Sequence, residues 1–168
     1  MSKERKTAAN KGFSLVELII VVAIMAILGT VLAPQYMKYV EKTRLQKDNT
    51  AIAEIANAIK IAMADENINK EVKDGSNQLV IQASDDNEGK EAKTITYSST
   101  GNIPASLRTE LTAVLGTSYT TTSNTYRDST DKITLTIKTT DGAVKIEVNG
   151  WIEKSGETAP ATDVDKTF

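Results

Sequence analysis

Residues 13–33 read FSLVELIIVVAIMAILGTVLA. Glu17 is the one charged residue in this stretch, and positions 18–28 are wholly apolar. A helix of this length spans roughly 31 Å at about 1.5 Å per residue, which matches the hydrocarbon thickness of a bilayer. The stretch therefore predicts a helix that can cross a membrane, and the rest of the fold has to be arranged around it.

Basic residues flank the apolar stretch on both sides. Residues 1–12 contain four Lys or Arg side chains, and residues 35–47 contain four more. Because the two flanks carry equal numbers of Lys and Arg, the positive-inside rule does not decide which end of the helix faces the cytoplasm. Ordinary signal-peptidase cleavage after Ala33 is disfavoured because Pro34 would follow the cut. A permanent signal anchor and a segment held in the bilayer only for storage both remain open.

Composition excludes most enzyme classes. The chain has 168 residues, no Cys and no His, so it forms no disulfide, thiolate nucleophile, imidazole base or His/Cys zinc site. The formal net charge of −2 gives no indication of a nucleic-acid partner. No constellation of Asp, Glu, Lys, Ser or Tyr suggests catalysis. We therefore expect a protein that is not an enzyme and that has no catalytic residue, metal or cofactor.

Glu17 is unusual because it lies within an apolar helix. An isolated carboxylate there costs about 2.5–3.5 kcal/mol on insertion scales, so it marks a functional position by default. No Lys or Arg occurs among residues 18–37. A cut between Gly12 and Phe13 would create an α-amine at Phe13, four positions before Glu17. The alternative is that Glu17 lies near the membrane interface, where its carboxylate reaches water and needs no partner.

The string GFSLVE at residues 12–17, after a short basic leader and before a membrane-length apolar run, closely resembles the processing motif of type IV pilins and pseudopilins. The helical continuation extends the resemblance to about residue 64. The resemblance implies that a prepilin peptidase removes residues 1–12 on the cytoplasmic side. It implies that Gly12 and Phe13 form the cleavage site, that the amine of Phe13 is methylated, and that Glu17 guides subunit pairing during assembly.

The fold implied is α+β, with a long N-terminal helix packed on a small antiparallel sheet. We predict a leader at 1–12, an apolar transmembrane and fibre-core helix at 13–34, an amphipathic continuation at 35–64 and a β-rich head at 65–168. Apolar residues recur at helical spacing in the continuation: Ile52, Ile55, Ala56, Ile59, Ala62 and Met63. The charged stretch 38–47 is expected to contact water, headgroups or neighbouring subunits.

Gly29 and Pro34 predict a helix kink. Proline removes a backbone hydrogen bond and clashes with the preceding turn, and glycine weakens a helix interior. A simple kink where the helix leaves the membrane and a role in fibre elasticity are both open.

The head carries local signals for strands and one helix. Strands are predicted at 78–83 and 94–98, and a helix from Pro104 to about Leu115, ended by Gly116. Apolar and polar residues alternate over 133–138 and 144–149 around an Asp-Gly pair, which predicts a hairpin with its apolar face on the amphipathic helix. Residues 120–125 are predicted to form a loop or edge strand, and residues 155–168 to be irregular.

Asp163 and Asp165 are candidate calcium ligands through the same resemblance, because major pseudopilins of type II secretion bind calcium in a C-terminal loop. Calcium needs six to eight oxygen ligands, and the chain has no EF-hand-like Asp/Gly series. We therefore expect no metal there. The disulfide-bounded C-terminal loop usual in the family cannot form without Cys.

The resemblance implies a structural subunit of a type IV pilus that serves adhesion, surface (twitching) motility or biofilm formation. Its implied partners are copies of itself, the prepilin peptidase, and an assembly platform protein with its ATPase. The precursor would be a single-pass protein of the bacterial cell membrane, and the assembled form an extracellular pilus. Two alternatives stay open: a pseudopilin of a type II secretion or DNA-uptake system, and a signal-anchored surface binding domain.

Overall fold

The computed structural model describes residues 12–74, 79–84, 93–96, 103–129, 132–140, 143–153 and 163–168. The chain divides into two compact units, Met1–Met37 and Lys38–Phe168. Helix α1 (Leu15–Ala62) contributes its first part to one unit and its second part to the other. The predicted leader falls outside the described residues except for Gly12.

Helix α1 is continuous through Pro34. By length and composition it can cross a membrane, and none of its most apolar 18-residue stretch is buried against the rest of the protein. The second part of α1 is amphipathic, with Leu45, Ile52, Ile55 and Ile59 buried at helical spacing. This burial arises because the apolar positions repeat every three to four residues and so share one face.

Two short helices later in the chain were not predicted from the sequence pattern. After a turn, Asp65 begins helix α2 (Glu66–Asp74). The carboxylate of Asp65 accepts from the Asn67 N–H at 2.8 Å, which satisfies a backbone donor that a helix start leaves free. Helix α4 (Asn124–Asp128) begins in the same way, because the Ser123 hydroxyl accepts from the Tyr126 N–H.

The predicted helix after Pro104 is confirmed as α3 (Ala105–Leu115). Pro104 precedes its first residue, and Gly116 follows its last with φ of 83°. A positive φ departs from helical geometry and so ends the helix, and glycine adopts it readily because it has no Cβ.

Among the described residues, six antiparallel strands form one sheet in the head, in the order β3-β2-β1-β4-β5-β6. The strands are β1 (Leu79–Ser84), β2 (Thr94–Thr96), β3 (Ser118–Thr120), β4 (Thr134–Thr140), β5 (Ala143–Ile152) and β6 (Asp163–Thr167). The long helix and this antiparallel sheet confirm the α+β fold.

The predicted hairpin is confirmed as β4 and β5. Leu135 pairs with Val148 and Ile137 with Ile146, and all four side chains are buried. They belong to the same core cluster as the apolar face of α1. The Asp-Gly pair between the two strands lies outside the described residues.

The prediction of an irregular C-terminus is wrong for residues 163–167, which form β6 against β5. Asp163 and Asp165 therefore lie on a strand. The ring of Phe168 meets that of Trp151 edge-on at 5.6 Å between centroids. β6 has only one apolar side chain, Val164, so alternation could not reveal it, and its pairing depends on β5. Residues 155–162 lie outside the described residues.

The segment 120–125 is neither wholly loop nor wholly strand. β3 ends at Thr120 as an edge strand, and α4 begins at Asn124. The predicted strands at 78–83 and 94–98 are confirmed where the structure describes them, as β1 and β2.

Candidate functional site

The Gly12–Phe13 peptide bond precedes α1 and lies outside any helix or strand. The Phe13 side chain is 94% exposed. No atom approaches within 4 Å of the position a Cβ would take on Gly12. The backbone on both sides of this bond is thus uncovered within the described part of the chain.

Glu17 lies in the first turn of α1. Its Oε2 accepts the Ser14 N–H at 2.9 Å, while the Ser14 carbonyl accepts the Leu18 N–H, the first bond of the helix. Ser14 and Glu17 have the spacing of a capping box, in which the acid satisfies a free backbone donor. A negative charge there is also favoured by the helix dipole. Glu17 has no ion-pair partner among the described residues.

The first part of α1 exposes a continuous apolar surface. Large exposed residues of this surface are Leu15, Val16, Leu18, Ile19, Ile20, Val21, Val22, Ile24, Met25, Ile27, Leu28, Val31 and Leu32. An exposed apolar surface of this extent is typical of a segment that contacts lipid or other protein.

Gly29 and Pro34 lie further along the same helix. No atom lies within 4 Å of a Cβ added at Gly29, and Pro34 is inside α1. Glu17 and Gly29 are separated by roughly 18 Å of helix rise. The structure therefore places Gly12, Phe13 and Glu17 together at the start of α1 and places Gly29 and Pro34 apart from them. The kink at Gly29 and Pro34 stays a prediction.

Sequence reasoning missed a buried carboxylate, Asp48, on the second part of α1. Its side chain is fully buried. It accepts the Tyr119 O–H at 2.7 Å, the Thr122 N–H at 2.9 Å and the Ser123 N–H at 2.7 Å. Four hydrogen-bond donors in all, including the Thr122 hydroxyl, surround this one charge. Asp48 thereby joins α1 to the segment between β3 and α4.

Glu41 and Asn49 extend this attachment. Glu41 Oε1 accepts both the N–H and the hydroxyl of Thr125 at 2.9 Å. The Asn49 amide donates to the Ile152 carbonyl at 2.9 Å and accepts the Tyr126 O–H at 2.6 Å. We call Glu41, Asp48, Asn49 and these partners the attachment network. The expectation that the stretch 38–47 contacts water, headgroups or neighbouring subunits is wrong for Glu41, which bonds to Thr125 of the head.

The pKa of Tyr119 is raised above its ordinary value of 10.0, first by burial and then by its hydrogen bond to Asp48. Burial disfavours the charged phenolate, and the neighbouring carboxylate repels it. Tyr119 therefore stays a hydrogen-bond donor to Asp48 throughout the neutral range.

A signal for the attachment network was present in the sequence. Glu41, Leu45, Asp48 and Ile52 follow one another at spacings of three and four, so the acids lie on the apolar stripe of the helix. A charged residue on such a stripe is buried, and a buried charge needs hydrogen-bond donors.

The described residues contain no group of three His, Cys, Asp or Glu side chains placed to hold a metal ion. The carboxylates of the attachment network are instead bonded to hydroxyl and backbone donors.

Comparisons with known proteins bear on the start of α1. Residues 7–33 match the family model described as the prokaryotic N-terminal methylation motif. A type IV major fimbrial protein FimA of Dichelobacter nodosus is 38% identical over 56 residues, 33% of this chain and 36% of the relative. A fimbrial protein of Pseudomonas aeruginosa is 44% identical over 54 residues, 32% of each chain. The chain thus spans about a third of the length of these curated relatives. No solved structure shows significant similarity to it.

Proposed function

We propose that this chain is the structural subunit of a type IV pilus. Its methylation motif and its similarity to fimbrial proteins support membership of the type IV pilin family. The observation that carries the proposal is the combination of that motif with a membrane-length helix whose apolar side chains are exposed. Such a helix is satisfied equally by lipid and by sister helices, because lipid tails are about as apolar as Leu.

Processing takes place at Gly12–Phe13. A prepilin peptidase hydrolyses this peptide bond, which releases residues 1–12 and leaves an α-amine on Phe13 that is then methylated. The exposure of Phe13 and the open space beside Gly12 support access to this bond. The mature chain then consists of the apolar helix 13–34, its continuation 35–64 and the head 65–168.

Assembly pairs the carboxylate of Glu17 with the Phe13 amine of a neighbouring subunit. The lack of an ion-pair partner for Glu17 among the described residues supports this role. A misplaced subunit would leave a carboxylate unpaired in an apolar bundle, which costs several kcal/mol. The pair therefore sets the axial position of each subunit.

The partners are further copies of the chain, the prepilin peptidase, and an assembly platform with its ATPase. The precursor is held in the cell membrane by the first part of α1, and the assembled subunit lies in a surface filament. Adhesion, surface motility or biofilm formation are functions of that filament. The chain itself carries out no reaction.

The mass of the mature N-terminal peptide tests the proposal. The expected peptide begins at Phe13 and carries one added methyl group. A peptide that begins at Met1 would refute processing and favour an anchored surface domain, and one that begins at Pro34 would indicate an ordinary signal peptidase.

Deletion of the gene distinguishes a pilin from a pseudopilin. Loss of surface filaments in electron micrographs is the expected result. Loss of protein secretion or DNA uptake with filaments intact would contradict it.

A further inference from the structure

A groove of about 560 Å³ lies between the second part of α1 and helix α3. Its apolar lining includes Ala58 and Ile61 of α1 and Leu111, Val114 and Leu115 of α3. Ile61 is 75% exposed and Val114 is 69% exposed. Exposed apolar side chains gathered in a concave surface are typical of a docking site for another protein surface.

The rim of the groove is acidic. Among the described residues that line it, every charged one is an acid: Glu54, Asp65 and Glu110. Asp65 is occupied with the start of α2. Glu54 and Glu110 are exposed, and neither has an ion pair with a base in the part of the chain that the structure describes. The groove therefore favours an occupant that combines apolar and positive groups.

The chain itself presents such a surface on α1, at residues 38–47. Tyr39 is 70% exposed, and the bases of this stretch, Lys38, Lys42, Arg44 and Lys47, are all exposed. Its one acid, Glu41, bonds to Thr125 of the head. No described acid forms an ion pair with Lys38, Lys42 or Arg44, so their charges are available to another molecule.

The two surfaces cannot meet within one chain. Lys42 and Glu54 lie on the same helix, separated by about 18 Å of helix rise. A second copy displaced by about that distance along the helix axis would bring its basic stretch beside the groove. This copy is a different neighbour from the one whose Phe13 amine meets Glu17, because that pair spans four residues, about 6 Å of helix rise. Such a contact uses different patches on the two copies, so it repeats along a filament without closing into a dimer.

We infer that the groove between α1 and α3 binds residues 38–47 of a second copy of this chain. Tyr39 of that copy occupies the apolar floor, and Lys42 faces the rim acids Glu54 and Glu110. The inference rests on the proposed function in one respect, that copies lie side by side with their α1 helices staggered. It adds a contact between the basic stretch of α1 in one copy and the groove of another copy, and this contact is independent of Glu17.

Disulfide cross-linking in the full chain tests the contact, because the natural sequence contains no Cys that would give a background. The double variant Lys42→Cys/Glu110→Cys is expressed in intact cells and oxidised with copper phenanthroline. A ladder of multimers on a non-reducing gel is expected, since each copy then carries both halves of the contact. Each single variant can give a dimer at most. The matched control Lys42→Cys/Arg108→Cys moves the second cysteine two positions along α3, to an exposed residue outside the groove lining.

Charge exchange provides a second measurement. We expect Lys42→Glu and Glu110→Lys each to lower filament yield roughly tenfold through like-charge repulsion, and the double exchange to recover most of it. Both side chains are exposed, so the substitutions leave the core intact.

The outcomes separate this inference from the proposed function. Normal filaments without a cross-linked ladder would overturn the inference and leave the pilus function standing. A mature chain that keeps Met1 would refute the proposed function. The cross-linking of copies held in the membrane would still test the inference: a ladder of multimers would support it, and the absence of a ladder would overturn it. If Lys42→Glu lowers assembly and the exchange at Glu110 does not restore it, the basic stretch binds something else, such as anionic lipid, and the inference is wrong.

Discussion

Replacement of Asp48 by Ala should weaken the attachment of the head to α1. The substitution removes the one acceptor shared by the Tyr119 hydroxyl and the backbone donors of Thr122 and Ser123. Each buried donor left without an acceptor costs about 1–3 kcal/mol. Ser123 is buried, whereas Thr122 is exposed and can bond to water instead. We therefore expect a loss of about 3 kcal/mol in the free energy of unfolding, a large share of the about 5–15 kcal/mol typical of a domain.

The assay is urea unfolding of the detergent-solubilised full chain, followed by tryptophan fluorescence. Trp151 is the sole tryptophan and is nearly buried in β5, so its emission reports on the head. Asp48→Asn keeps one acceptor oxygen and should lose about half as much stability. Glu54→Ala, an exposed acid six positions along the same helix, is the control and should change stability by less than about 0.5 kcal/mol. A loss below about 1 kcal/mol for Asp48→Ala would refute the stabilising role of the attachment network.

Four further predictions test other parts of the molecule. Glu17→Gln keeps an oxygen for the Ser14 N–H but has no charge, so the chain should reach the membrane yet enter filaments roughly tenfold less well; normal filament yield by electron microscopy would count against the pairing. Gly12→Glu should block the cut and leave precursor in the membrane, and a processed N-terminus in its mass spectrum would mean that the site is misassigned. Because folding raises the pKa of Tyr119, its contribution is fully present below pH 10 and is lost as the pH rises above it; urea titrations should show a steeper alkaline loss in the natural chain than in Tyr119→Phe, and parallel curves would contradict this. Gly150→Ala should cost about 2–4 kcal/mol, because φ is 75° and the new Cβ would lie 2.6 Å from a backbone oxygen; Gly116→Ala, with φ of 83° and open space, should cost about 1–2 kcal/mol, and equal losses in the two would exclude the clash.

Local sequence was sufficient where an element is specified by neighbouring residues. The hairpin of β4 and β5 was predictable because alternation and an Asp-Gly pair act within a few residues of the turn. Helix α3 was predictable because Pro104 and Gly116 act at its two ends. The membrane-length first part of α1, which begins at Leu15 and not at residue 13 as predicted, follows from apolar composition alone.

Sequence was insufficient where a residue's role depends on a distant partner. Asp48 and Ser123 are 75 positions apart, and Glu41 and Thr125 are 84 apart. The stripe on α1 could indicate that these acids are buried, but not which donors meet them. β6 was missed for a related reason: its backbone pairing with β5 stabilises the strand, whereas its own side chains show no apolar alternation.

The roles of Gly12, Phe13 and Glu17 stay predictions, because they concern molecules outside this chain. The capping contact of Glu17 with Ser14 is compatible with them, since it occupies only one carboxylate oxygen.

The primary sequence by itself determined a membrane-length apolar helix and the hairpin, because periodicity and composition act over short distances and need no knowledge of the rest of the chain. The folded molecule alone revealed the attachment network, the sixth strand and the acid-rimmed groove. These features arise where segments far apart in sequence pack against each other. Once such packing buries a polar or charged group, its hydrogen-bond partners come from the distant segment, and the local sequence does not identify them.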